Sequence, residues 1–172
     1  MRRIEGTSDV RLIECVNPVR GKWRIRWDVQ PGENGTATYM EAEFPHRPTA
    51  DEIRQAIIDW YDRQTDEMIL TGYQWNVLHG ADAGKTVNVW LSMENQKNYE
   101  SFHNAAILHP NLVTFPQRYK LGEDECGRAL YEEFQNVEEL VSFYLGGVAH
   151  INGCIAEGWR KKDSLDLSLY ET

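Results

Sequence analysis

The sequence predicts an α+β fold: an antiparallel sheet with about three helices packed on it, the longest of them C-terminal. Three observations carry this. Residues 23–29 alternate strictly, with Trp23, Ile25, Trp27 and Val29 on one side and Arg24, Arg26 and Asp28 on the other. Period two with one polar face is the pattern of a half-buried strand. After Asn136, apolar residues recur at helical spacing as Leu140, Tyr144, Val148 (with Gly147), Ile151, Ile155 and Trp159, one continuous stripe. Between these, residues 72–104 read as strand, glycine-rich turn, strand and helix, with Trp75 and Trp90 on the two strands.

The 172 residues are the length of a single domain, and such a chain buries about two-thirds of its unfolded surface. Neither disulfides nor a metal is then needed for stability. A net charge of −9, from 27 acidic and 18 basic residues, disfavours nonspecific binding to a phosphate backbone, so nucleic acid is not expected as a partner. The local basic clusters, Arg20, Lys22, Arg24 and Arg26, then Arg160, Lys161 and Lys162, read as solvated faces, the second at a helix C-terminus where cations suit the dipole. Cys15, Cys126 and Cys154 are odd in number and lack a C-x-x-C spacing. That is the usage of reduced thiols in a cytosol-like compartment. The first ten residues carry no apolar signal region, and no run approaches the ~20 apolar residues of a membrane span, so no membrane partner is expected.

In chain order, residues 10–15 are a first strand and N-P-V-R-G a turn. Residues 23–29 and the looser alternation of T-A-T-Y-M-E-A-E-F then form an antiparallel hairpin across a turn rich in Pro, Gly and Asn. Thr49 and Glu52 make a capping box for a helix from about residue 50 into the region 66–70, with Ile53, Ile57, Trp60 (or Tyr61) and Gln64 on one face and Ala56 alongside. A second short turn is expected at Thr65-Asp66, and Gly72 is the stop. Residues 73–78 and 86–91 are strands, and Ser92 caps a helix whose apolar side carries Met93, Tyr99, Phe102, Ala106 and Ile107, ended by Pro110. Residues 112–121 are extended, with Pro116 marking an edge or a bulge; residues 122–127 are an acidic turn and 128–134 a paired strand. Asn136 and Glu139 form the box that opens the last helix. Gly146, Gly147 and Gly153 inside it each cost roughly 1 kcal/mol against Ala, so another backbone is expected to pass close to them. The acidic end of the chain is expected to be loosely docked.

No catalytic, cofactor-binding or metal-binding residue is assigned. H-G-A-D-A-G-K-T resembles a phosphate loop, but Gly80 and Gly84 bracket three residues rather than four, and a strand rather than a helix follows; it reads as a hairpin loop. His150 and Cys154 share a helical face, with Cys126, His103 and His109 elsewhere, yet two ligands do not make a zinc site. No G-x-S-x-G occurs. The acidic pairs Asp51/Glu52, Glu132/Glu133 and Glu138/Glu139 read as solvated faces or helix N-termini. Stacking of exposed aromatic residues on sugars is a further possibility, set against the placing of Trp23, Trp27, Trp60 and Trp90 on apolar faces.

The segments Q-T-D-E-M-I-L-T-G-Y-Q-W-N, V-W-L-S-M-E-N-Q-K-N-Y and L-V-S-F-Y-L-G-G-V-A-H-I-N-G-C-I-A-E-G-W-R-K-K-D resemble a family of uncharacterised proteins encoded by phages and prophages of gut Bacteroidales, often near tail genes. The likeness spans roughly residues 48–166. Residues 1–47, the N-terminal β-hairpin region, match only loosely, and 167–172 form a tail to a single domain of residues 1–172. The turn between the two Trp strands is longer here than in that family. The family has no assigned reaction, so no active site is carried over. The resemblance implies a phage or prophage structural or tail-associated protein acting by protein–protein contacts, without catalysis, with other phage structural proteins or itself as partner. Its location would be the virion or the host bacterial cytoplasm. The alternatives are a small phage-encoded effector that binds a host protein, and a glycan-binding receptor module. W-L-S-M-E-N-Q itself reads as buried Trp90 and Leu91, capping Ser92, and Asn95 and Gln96 tying the helix start to a neighbouring loop.

Overall fold

Four antiparallel strands open the chain, in the spatial order β1-β4-β3-β2: β1 Arg2–Thr7, β2 Ile13–Asn17, β3 Lys22–Pro31 and β4 Thr36–Phe44. The structure is a computed structural model that describes residues 2–171; Met1 and Thr172, the last residue of the expected tail, lie outside the described residues. The α+β class is as expected: antiparallel sheets and three helices, the longest C-terminal. The chain divides into two compact units. One takes the chain up to Arg63 and again from Arg160; the other is Gln64–Trp159.

In the first unit the expected hairpin forms, with Trp23 opposite Phe44 and Ile25 opposite Ala42. Strand β1 was not expected from the sequence. R-R-I-E-G-T has little apolar content, and main-chain pairing to β4 holds it. Helix α1, Ala50–Thr71, begins at the expected box. The Thr49 N–H donates to Glu52 Oε2 (2.8 Å) and the Glu52 N–H to Thr49 Oγ1 (3.3 Å). It packs Ile53, Ile57 and Trp60 against Ile13, Ile25, Trp27 and Met40, with Trp27 and Trp60 edge to face at 6.0 Å. The helix runs unbroken through Thr65-Asp66, so the second turn expected there does not form.

Two expectations are corrected in this unit. The basic face of β3 is not solvated throughout: Arg26 is 5% exposed. Its guanidinium donates to Glu14 (2.6 Å), Glu41 (3.2 Å) and the Arg11 carbonyl (2.8 Å), and lies over the Tyr39 ring. A buried charge is tolerated only when paired in this way. The C-terminal segment is not loosely docked either, since Tyr170 is buried and its hydroxyl donates to the Arg26 carbonyl at 2.8 Å.

The second unit holds two antiparallel ribbons and two helical layers. Strands β5 (Tyr73–Asn76) and β6 (Thr86–Val89) pair with Trp75 opposite Val87. Helix α2, Met93–Leu108, comes next. Strands β7 (Gln117–Glu123) and β8 (Ala129–Phe134) pair after it, and α3, Val137–Asp163, closes the unit. Phe143 centres the core: Tyr99, Trp75 and Phe134 stand around it with ring centroids 5.1 to 5.2 Å away. The α3 box is formed, the Glu139 N–H donating to Asn136 Oδ1 at 2.9 Å.

The buried face of α3 is turned by about one residue from the expected stripe. Leu140, Phe143, Gly147, Cys154 and Gly158 are buried, while Trp159 is 61% exposed. The expected close backbone at the glycines is not what is found. A Cβ on Gly146 would lie 2.8 Å from the Tyr73 ring, one on Gly147 3.5 Å from it, and one on Gly153 would meet nothing within 4 Å. It is the Tyr73 side chain that needs the room, and its hydroxyl donates to the Phe143 carbonyl at 2.7 Å. Gly158, not singled out in the sequence, is crowded by the Thr65 hydroxyl. Among the described residues no helix is long and apolar enough to cross a membrane.

Candidate functional site

The alternation of β6 continues past its last paired residue. Val87, Val89 and Leu91 point inward and are almost wholly buried; Thr86, Asn88 and Trp90 point outward. Trp90 is therefore 59% exposed, beyond the end of the strand at Val89. This corrects the expectation of a buried Trp90 beside Trp75: its place in the alternation, not its apolar character, sets its side.

The residues after Trp90 fix it in place. Ser92 caps α2 by accepting from the Asn95 N–H at 3.2 Å. The Asn95 side chain donates back to the Trp90 carbonyl (2.9 Å) and Gln96 to the Leu91 carbonyl (2.8 Å). So Asn95 and Gln96 tie the helix start to the adjoining link that carries Trp90 and Leu91. On the other side, Gly72 at φ +81° lets the end of α1 pass against the Val89 carbonyl, where any Cβ would collide, and Asn88 donates to the Thr71 carbonyl at 2.5 Å. Glu67, Leu70, Thr71, Asn88 and Trp90 line one open depression, and Met93, 76% exposed, lies three residues further along the chain.

The glycine-rich stretch joins β5 to β6 as a hairpin loop, with Gly80 and Gly84 at positive φ. Two buried carboxylates of the second unit hold it. Glu132 is fully buried. Its Oε2 accepts from Trp75 Nε1 and the Leu78 N–H (both 2.8 Å), its Oε1 from the N–H groups of His79 (2.9 Å) and Glu133 (3.0 Å). Four donors fill a carboxylate's capacity, so this group is committed to holding the loop. Asp82, 2% exposed, accepts from Lys85 and Arg128 (2.9 Å each) and the Tyr131 N–H (3.1 Å). The Lys85 ammonium foremost, with Arg128 and Tyr131, holds its pKa down to about 2 despite its burial. His79 reaches Glu139 at 3.1 Å. Burial works to raise the Glu139 pKa, but the Gln135 N–H and His79 bring it below the ordinary value.

The reading of Glu132 as part of a solvated acidic pair is thus corrected. The signal that finds it is phase: Leu130, Glu132 and Phe134 alternate on one face of β8. Asp51/Glu52 and Glu138/Glu139 do lie at the starts of α1 and α3. Of the candidate ligands, His150 and Cys154 come together, Nε2 to Sγ 3.6 Å, with the same Nε2 3.1 Å from the Met68 carbonyl. Cys126 is exposed in the β7–β8 turn, His103 stacks on Tyr144, and His109 ends α2. Among the described residues no group of three His, Cys, Asp or Glu is placed to hold a metal.

Comparison of the chain with protein-family models, with curated proteins and with solved structures finds no match.

Proposed function

We propose that the protein is a phage or prophage component, structural or tail-associated, that works without catalysis by protein–protein contact through the surface around Trp90. The observation that carries this is an outward-facing indole on a clamped backbone. Ser92, Asn95 and Gln96 fix the backbone at residues 90–92, and Trp90 is left 59% exposed. A large exposed aromatic side chain is favoured as an interface anchor, and a backbone already held in place lowers the ordering cost of binding. Leu70 and Met93, exposed nearby in the chain segments that carry or flank the depression, extend an apolar contact. The phage context rests on the resemblance of the Trp90 segment and the α3 segment to the phage-encoded family.

The test is mass spectrometry of particles purified from an induced lysogen or an infected culture, with wild-type protein and with Trp90→Ala. Stoichiometric incorporation that is lost in the variant supports the proposal. Particles that lack the protein and assemble normally without its gene favour the host-directed effector. The glycan-binding reading has one observation in its favour: Trp90 is flanked by polar Glu67, Thr71 and Asn88, as a sugar-stacking platform would be. Quenching of Trp fluorescence by soluble glycans, absent in Trp90→Ala, would support it.

A further inference from the structure

We propose that the second unit carries a binding site for a small organic cation of the quaternary ammonium type, in a cavity walled by side chains of β5, α2 and α3. The cavity has a volume of about 120 Å³, and Tyr73, Tyr99, Phe143 and Tyr144 supply aromatic walls while Gly147 leaves one side bare. A dry cavity of about 150 Å³ takes a benzene-sized guest, so this one suits a head group of about five heavy atoms.

Charge selects the guest. Among the described residues, Glu100 is the only charged side chain that lines the cavity. It is exposed and has no ion-pair partner among the described residues. An anion would meet this carboxylate and no cation. A neutral apolar guest would gain nothing from it. A cation gains twice, from the carboxylate and from the aromatic rings that wall the cavity. Tyr99 also lines the cavity; it is 7% exposed, and its hydroxyl has no hydrogen-bond partner among the described residues. Burial, with Tyr119 beside it, pushes its pKa up to about 12. It therefore stays neutral and competes for no cation as a charge, while remaining able to bond a polar group on the guest.

The experiment uses the full chain, with choline and its uncharged carbon isostere 3,3-dimethyl-1-butanol as probes, titrated by calorimetry and by amide NMR. Saturable choline binding at least about five-fold tighter than the isostere is expected, since a desolvated cation–π contact is worth roughly that factor or more. Shifts should centre on Gly147 and Tyr99. Glu100→Gln should remove the preference. Gly147→Ala should weaken both probes: its Cβ meets Tyr73 and Leu91 at ordinary contact distances of 3.5 and 3.7 Å, so it narrows the cavity without strain. A preference below about five-fold, no saturable binding, or choline binding unchanged in both variants overturns the proposal. Glu100 is exposed, so Glu100→Gln remains informative even if Gly147→Ala alters folding. Neither readout depends on Trp90 or on particles, so this site and the contact proposed above stand or fall separately.

Discussion

Trp75 Nε1 donates to Glu132 Oε2 at 2.8 Å, joining β5 to a carboxylate 57 residues later in the chain. The same carboxylate takes the Leu78 and His79 N–H groups of the loop that leaves β5 towards β6. A half-buried indole, a loop and a strand thus share one charged acceptor with no exposure to water.

Glu132→Ala would leave several buried donors without an acceptor. Each costs about 1–3 kcal/mol, so a loss on the order of 3–5 kcal/mol, or failure to fold, is expected. Glu132→Gln keeps one oxygen but turns an amide N–H₂ towards two donors, and should cost less than Ala. Urea unfolding of both variants, followed by near-UV circular dichroism, checks the order.

Asp82 predicts a limb of acid unfolding. Its folded pKa, about 2, is depressed from an ordinary value of 3.8. A depressed carboxylate contributes stability that is fully present above its unfolded pKa and is lost as pH falls through its folded one. Stability should therefore fall between roughly pH 4 and pH 2. Asp82→Asn should be less stable than wild type at neutral pH and flatter across that window, as measured by denaturant unfolding at a series of pH values.

Two glycines should respond in opposite directions. Gly153→Ala meets open space inside a helix and should stabilise by roughly 0.5–1 kcal/mol. Gly72→Ala combines φ +81° with a collision against the Val89 carbonyl. It should destabilise by more than about 2 kcal/mol and disturb the backbone that leads to Trp90. Thermal melts of the two variants side by side test this.

Trp90→Ala should change stability by no more than about 0.5 kcal/mol, as exposed positions do. A cost of several kcal/mol would mean that the indole is packed against something in solution, and the contact surface would have to be redrawn.

Local signals were legible in the sequence. The boxes at Thr49/Glu52 and Asn136/Glu139, the Ser92 cap and the stop at Gly72 all form, because each depends on residues three or four apart. Period two placed β3, β4 and the β5–β6 ribbon. The candidate site was legible in phase but not in chemistry. Trp90 continues the outward phase of Asn88, and Glu132 the inward phase of Leu130, each against the side its residue type suggests. Arg26 and Glu132 look like surface charges in sequence because their partners, Glu41 in one case and the β5–β6 loop in the other, lie far away in the chain. Strand β1 carries no apolar pattern to be found at all.

The first unit is assembled from two stretches of chain, and its second stretch is translated late. Tyr170, whose hydroxyl meets a carbonyl 144 residues upstream, borders a recess lined also by Ile13 and Ile53. At about 5–20 residues per second, the ribosome takes roughly 7–30 s to cover that distance. For the part of that interval after α1 ends at Thr71, β2 and α1 are already synthesised, yet the side chain that covers this part of their apolar surface does not exist. The nascent chain carries an uncovered apolar recess for that time, and a holding chaperone has its opportunity there.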